Sequence, residues 1–133
     1  MRCLEEIKKA IKWYYDLPND YRNVELLMAA RRKLSVHAFE LSDITGDTKI
    51  SLDNMYAERK IEHARSKVAL MAGTTAAAAE SKAIIENKER IKQEKEYEGL
   101  YSRCRLLLVQ TNEVLNCLNQ HISLLKMEKD EQR

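Results

Sequence analysis

The fold is decided by residues 97–125, which read YEGLYSRCRLLLVQTNEVLNCLNQHISLL. Apolar side chains recur in this stretch at alternating spacings of four and three, a pattern that turns one face of an α-helix toward a neighbouring helix. A second apolar row, formed by Leu100, Leu107 and Val114, lies beside the first, so we expect this helix to contact more than one other helix. The first row, here called the C-terminal seam, consists of Tyr97, Tyr101, Cys104, Leu108, Thr111, Leu115, Leu118, Ile122 and Leu125.

Helix breakers are scarce and almost evenly placed along the chain. They are one proline, Pro18, and three glycines, Gly46, Gly73 and Gly99. Because proline removes a backbone donor and glycine is the weakest ordinary helix former, these residues divide the chain into helical segments of similar length. We therefore predict an all-α protein: an elongated helical bundle or coiled coil with a short N-terminal helix and three or four long helices, which forms oligomers.

The length of 133 residues is typical of one domain, so we predict a single helical domain over residues 1–133. Residues 1–46 should form a helical pair broken at Pro18, with the second helix ending between Ser42 and Gly46. Residues 51–128 should form a long helical hairpin or kinked rods with a break at Gly73. Within them, the charged residues 86–98 are expected to be a solvated helical arm.

Two further apolar rows indicate how the earlier helices pack. Each follows the spacing of three and four that one helix face requires. The row of the second helix is Val24, Leu27, Arg31, Leu34, Ala38 and Leu41. The row of the third helix is Ala57, Ile61, Ala64, Val68 and Met71, in which the two alanines allow another backbone to approach closely.

Charge and cysteine content exclude several classes of protein. The net charge of +2 is too small for the overall field to indicate a nucleic-acid or membrane partner. The three cysteines are far apart in sequence, which disfavours a disulfide framework and favours a reducing cytoplasm. The charged first ten residues do not resemble a secretory signal, and the chain lacks an apolar run of the roughly 20 residues that a membrane span needs.

Catalytic and metal-binding patterns are not found in the sequence. His37, His63 and His121 lie on different segments, so no two of them share a helical turn as metal-binding pairs do. Cys104 lies on the C-terminal seam, where a thiol is usually a small core residue. Gly73 is followed by threonines without the lysine of a phosphate-binding loop. We expect no enzymatic activity, no cofactor and no metal.

Basic residues suggest a nucleic-acid interface in two places. Such residues on one helix face, together with an aromatic ring, can follow a phosphate backbone. The alternative is that they are ordinary solvated surface beside an apolar row. The first group is Tyr56, Arg59, Lys60, His63 and Lys67, and the second is Arg31, Arg32 and Lys33.

Several short motifs resemble small helical proteins that bacteriophages encode among their recombination genes. These motifs are residues 56–60 (YAERK), 72–76 (AGTTA), 79–80 (AE), 96–97 (EY) and 120–126 (QHISLLK). In length and layout, residues 50–128 are similar to UvsY-type recombination mediators. The resemblance implies a helical homo-oligomer in the host bacterial cytoplasm that binds single-stranded DNA and a recombinase or single-strand-binding protein.

Two functions are therefore expected as alternatives. The first is a non-enzymatic phage recombination or replication mediator, in which oligomerisation arrays weak DNA contacts. The second is a phage structural, scaffolding or host-defence-blocking protein that binds other proteins and no DNA. In both, the predicted oligomer interface lies on the C-terminal seam, at Tyr101, Cys104, Leu108, Leu115, Leu118, Ile122 and Leu125.

Overall fold

A computed structural model describes residues 2–132, and these residues form four α-helices. No strand occurs in this described part of the chain, so the predicted all-α class is confirmed. The short N-terminal helix is confirmed as well. The helices are α1 (Arg2–Tyr15), α2 (Val24–Leu70), α3 (Ala76–Glu86) and α4 (Lys88–Glu131).

Two of the helices are much longer than an even division of the chain predicts. Helix α2 has 47 residues and passes through Gly46, and α4 has 44 residues and passes through Gly99. The predicted end of a helix between Ser42 and Gly46 is therefore wrong. One glycine inside a helix costs only about 1 kcal/mol. Buried residues on both sides of Gly46, namely Leu41 and Thr48, offset that cost.

The predicted break at Gly73 is confirmed. Gly73 has a φ of +87°, in the left-handed region that favours glycine, and it lies between α2 and α3. Thr75 then caps α3, because its hydroxyl accepts a hydrogen bond from the Ala78 backbone N–H at 3.2 Å. A second interruption, at Asn87, was not predicted. Its side-chain amide donates to the Ala83 carbonyl at 2.8 Å.

The chain packs as two compact units where the sequence predicts one domain. The terminal unit comprises Met1–Thr45 and Arg103–Arg133, and the middle unit comprises Gly46–Ser102. The terminal unit thus contains α1, the first part of α2 and the last part of α4. The middle unit contains the rest of α2, all of α3 and the first part of α4.

The terminal unit has an aliphatic core to which all three of its helix segments contribute. The row predicted for the second helix is largely buried, as is the C-terminal seam together with part of its neighbouring row. The prediction that the C-terminal helix contacts more than one helix is confirmed, because His121 of α4 lies beside Tyr14 of α1 and Asn119 of α4 accepts a hydrogen bond from Arg31 of α2. The least exposed large side chains of the unit are Ile7, Leu27, Leu34, Leu41, Cys104, Thr111, Val114, Leu118 and Ile122.

Candidate functional site

The middle unit has a small and polar interior. Its buried apolar residues are Ala79 and Ala83 of α3, both with no exposed surface. Its buried polar residues are Thr48, Asn87 and Glu94. Alanine burial removes little apolar surface from water, so polar contacts must hold this unit together to a greater degree than in the terminal unit.

An ion pair joins α2 to α4 in this interior. The Arg59 guanidinium donates hydrogen bonds to both carboxylate oxygens of Glu94. The Glu94 side chain is 9% exposed and that of Arg59 is 23% exposed. The hydrogen bond to Glu94 raises the pKa of Arg59, so the guanidinium stays charged. Residues 86–98 were predicted to be a solvated arm, and Glu94 shows that one face of this segment is buried.

A second polar contact joins α2 to α3. His63 Nε2 lies 2.9 Å from one carboxylate oxygen of Glu80, and Lys67 Nζ lies 3.2 Å from the other. The hydrogen bond from His63, followed by that from Lys67, lowers the pKa of Glu80. Glu80 is therefore an acceptor for two basic residues of one face of α2.

These contacts change the interpretation of the first predicted nucleic-acid group. Arg59, His63 and Lys67 are brought together on one face as predicted, but each has an acidic partner within the middle unit. Tyr56 and Lys60 remain exposed, with Lys60 Nζ 4.7 Å from the centre of the Tyr56 ring. The positive charge that this face can offer to a phosphate is much reduced.

The second predicted group lies in the terminal unit. Arg31 donates to the side-chain oxygen of Asn119 at 3.1 Å, and Lys33 lies 3.7 Å from Glu6. Arg32 is exposed. The three residues thus do not converge on one site, because successive residues point in different directions around a helix.

An apolar row on α2, continued by Met71 one residue beyond the end of the helix, is exposed to solvent in the middle unit. It contains the row predicted for the third helix, from Ala57 to Met71, and continues back through Asn54 to Ile50. Ile50 is 62% exposed, Ile61 53%, Val68 72% and Met71 46%. We call this row the α2 ridge; its members are Ile50, Asn54, Ala57, Ile61, Ala64, Val68 and Met71.

The face of α2 that packs inside the middle unit is the polar one. Arg59 and Lys67 bind acids of α4 and α3 there, and this places the α2 ridge outside. The sequence identified most of the α2 ridge as an apolar row but did not show which face of the helix would be covered by the rest of the unit. The signal that it missed is the pair of acids, Glu80 and Glu94, that can bind the basic side.

The predicted oligomer interface is mostly covered within the chain. Cys104, Leu118 and Ile122 are at most 2% exposed, so they have no free surface for a second copy and this part of the prediction is corrected. The reason is that the terminal unit covers these side chains with its own helices. The other members of the predicted interface are half-buried: Tyr101, Leu108, Leu115 and Leu125.

None of the helices within residues 2–132 has the length and apolarity needed to cross a membrane. Comparisons of the chain with protein-family models, with curated proteins and with solved structures found no match.

Proposed function

We propose that this chain is a non-enzymatic helical interaction module that binds a second copy of itself through the α2 ridge. The observation that carries this proposal is the exposure of a regular apolar row on a helix whose polar face is turned inward. Exposed apolar rows of this kind are typical of protein–protein contact surfaces. The second copy is the occupant that the spacing and the charges of the ridge favour.

The spacing of the α2 ridge fits a coiled coil. Its seven positions alternate by four and three residues over 50–71, so they occupy the a and d positions of three heptads. At 1.5 Å per residue, such a row is roughly 33 Å long. Ala57 and Ala64 permit close approach of two helices, and Asn54 is the one polar member, at an a position.

Charges beside the α2 ridge favour an antiparallel pair of copies. When two ridges run in opposite directions with Ile61 opposite Ala64, Glu58 of each copy comes near Arg65 of the other. Both side chains are exposed. Arg65 lies 3.3 Å from Glu62 of its own helix, a surface ion pair that contributes little and that Arg65 can exchange for Glu58 of the other copy. In a parallel pair, Lys60 would instead lie beside Arg65, and Asp53 beside Glu58. The parallel arrangement therefore places like charges together on both flanks.

The other flank of the antiparallel pair is close to neutral. There Lys60 of one copy approaches Lys67 of the other, but Lys67 already lies 3.2 Å from Glu80. Glu80 offsets the repulsion that two lysines would otherwise produce. The sum of the two flanks thus favours the antiparallel arrangement.

Light scattering and sedimentation over a range of protein concentrations test the proposal. We expect a monomer–dimer equilibrium that Val68→Lys abolishes, because the lysine places a charge inside the apolar contact, opposite Ala57 of the other copy. Val109→Lys is the matched control, since Val109 is also an exposed valine, at 51%, but lies on α4 in the terminal unit. A monomer at all concentrations, or equal loss of the dimer in both variants, would contradict the proposal.

The recombination-mediator function stays a prediction, and fewer basic side chains without an acidic partner support it than the sequence suggests. Tyr56 and Lys60 are the exposed remainder of the first basic group, and Arg32 of the second. A titration with labelled single-stranded DNA at low and at moderate salt tests it. Binding at low salt that Lys60→Glu weakens would support a DNA role, and no binding at low salt would remove it.

A further inference from the structure

Three side chains of types that bind metals meet in the terminal unit, and they come from two helices. Cys3 comes from α1, and His37 and Glu40 come from one turn of α2. The Cys3 Sγ atom, an imidazole nitrogen and a carboxylate oxygen all lie within 4.8 Å of one another. The three side chains also line a single cavity between the two helices.

The imidazole of His37 has a buried nitrogen without a partner. Its Nδ1 atom is shielded from solvent and makes no hydrogen bond with any residue of the described part of the chain. Glu40 is close, with an Oε2–Nδ1 distance of 3.6 Å, but this is beyond hydrogen-bond range. Buried polar atoms nearly always have a partner, so an unpaired imidazole nitrogen beside a thiol and a carboxylate points to a missing ligand.

We propose that Cys3, His37 and Glu40 bind a divalent transition-metal ion of the zinc class. Sulfur, imidazole nitrogen and carboxylate oxygen are the three ligand types that Zn²⁺ takes in proteins. On binding, the Cys3 thiol loses its proton to solvent and coordinates as thiolate, His37 coordinates through Nδ1, and Glu40 coordinates through one oxygen. Water takes the fourth position.

The distances between the ligand atoms suit this ion. Zinc bonds of about 2.0–2.3 Å in a tetrahedron place ligand atoms roughly 3.3–3.8 Å apart. The separation of His37 Nδ1 and Glu40 Oε2, 3.6 Å, already has this value. Cys3 Sγ lies within 4.8 Å of the other two ligand atoms and needs to approach them by at most about 1.5 Å to reach this range. At present the thiol donates a weak hydrogen bond to the His37 carbonyl at 3.4 Å.

The three proposed ligands belong to two helices, Cys3 to α1 and His37 with Glu40 to α2. Metal binding would join α1 to α2, so the ion would stabilise the N-terminal helix against separation from the bundle.

The sequence contained part of this signal. His37 and Glu40 have the spacing of three that places two ligands on one turn of a helix. A search for paired histidines missed it, because the third ligand is 34 residues away in sequence and is supplied by another helix.

Cobalt titration of the reduced protein tests the proposal directly. We expect one Co²⁺ per chain, with a thiolate-to-cobalt charge-transfer band in the near ultraviolet. Cys3→Ser should remove this band, whereas Cys117→Ser, which changes an exposed cysteine, should leave it unchanged. A missing band, or one that Cys117→Ser removes and Cys3→Ser does not, would overturn the proposal.

Competition with a chromogenic zinc chelator provides a test that does not depend on the buried cysteine. Glu40→Gln changes a half-exposed side chain and leaves the core intact. We expect it to weaken Zn²⁺ binding by more than the 10–100-fold typical of losing an outer-shell partner. The matched control is Glu113→Gln, an exposed glutamate of α4 in the same unit. Equal affinity of wild type and Glu40→Gln would overturn the proposed ligand set.

Discussion

The two units bury opposite kinds of side chain. In the terminal unit, leucine, isoleucine and valine side chains fill the interior, with Ile7, Leu27 and Leu41 having no exposed surface. In the middle unit, the fully buried residues are alanines and polar groups, whereas valine and all isoleucines except the half-buried Ile91 are exposed. The same helix, α2, contributes to both. A regular apolar row therefore does not by itself show which face of a helix is covered.

This difference has an energetic consequence. Full burial of a leucine or isoleucine side chain contributes about 1.5–3 kcal/mol, whereas a buried ion pair contributes little net free energy because both ions lose hydration. The terminal unit can thus be stable on its own apolar burial. The middle unit leaves the α2 ridge exposed, and this exposure is the basis for the proposed self-association.

The largest expected difference in stability between variants comes from replacing one isoleucine of each unit by alanine. Ile7→Ala should lower the free energy of unfolding by about 2–5 kcal/mol, because it leaves a cavity in a closed core. Ile61→Ala should change it by less than about 0.5 kcal/mol, since Ile61 is 53% exposed. Urea unfolding at low protein concentration measures both. Equal effects would mean that the α2 ridge is covered within the chain and that the contrast between the units is wrong.

The next effect concerns the ion pair inside the middle unit. Arg59→Met should lower the free energy of unfolding by about 2–3 kcal/mol, because it leaves the Glu94 carboxylate buried without a partner. This loss is smaller than for a fully buried ion pair, since Arg59 is partly exposed. The double variant Arg59→Met, Glu94→Leu should recover most of this loss, since no unpaired charge remains. Urea unfolding of the single and double variants measures the difference. A double variant as unstable as the single one would show that packing, and not charge, holds this contact.

The fold class and the core of the terminal unit were predictable from the sequence. The helix segment that contains Leu27, Leu34 and Leu41 has one apolar face only, so the burial of that face follows from helical periodicity alone. The continuation of α2 through Gly46 was not predictable. The free-energy cost of a glycine in a helix can be read from the local sequence, but the contacts that compensate for it come from distant segments.

The orientation of α2 in the middle unit was also beyond the sequence. Its apolar and basic faces both had a possible partner, and the outcome depends on Glu80 and Glu94, which follow in later helices. The cluster of Cys3, His37 and Glu40 likewise depends on how α1 packs against α2. Periodicity gives the faces of one helix, whereas contacts between distant segments decide which face is used.

A smaller effect is expected when the charges beside the α2 ridge are reversed. Glu58→Arg and Arg65→Glu should each weaken self-association several-fold, because exposed charge pairs contribute about 0.2–1 kcal/mol each. Mixing the two single variants should restore wild-type affinity, since every Arg then meets a Glu across an antiparallel contact. Sedimentation of the separate and mixed proteins measures this. No recovery on mixing would exclude the antiparallel register while leaving the ridge itself as the contact.

The smallest effect is the pH dependence of the contact between α2 and α3. The pKa of Glu80 lies below its ordinary value of 4.5, so its carboxylate stabilises the folded chain above that pH, and this stabilisation is lost as the pH falls through the lowered pKa. Glu80→Gln should therefore be less stable than wild type at neutral pH and equally stable in acid below the lowered pKa. Amide hydrogen exchange in α3 measures the difference, with Glu89→Gln, an exposed glutamate of the same unit, as control. A difference between wild type and Glu80→Gln that persists unchanged in acid would mean that the carboxylate charge does not hold α3 to the basic face of α2.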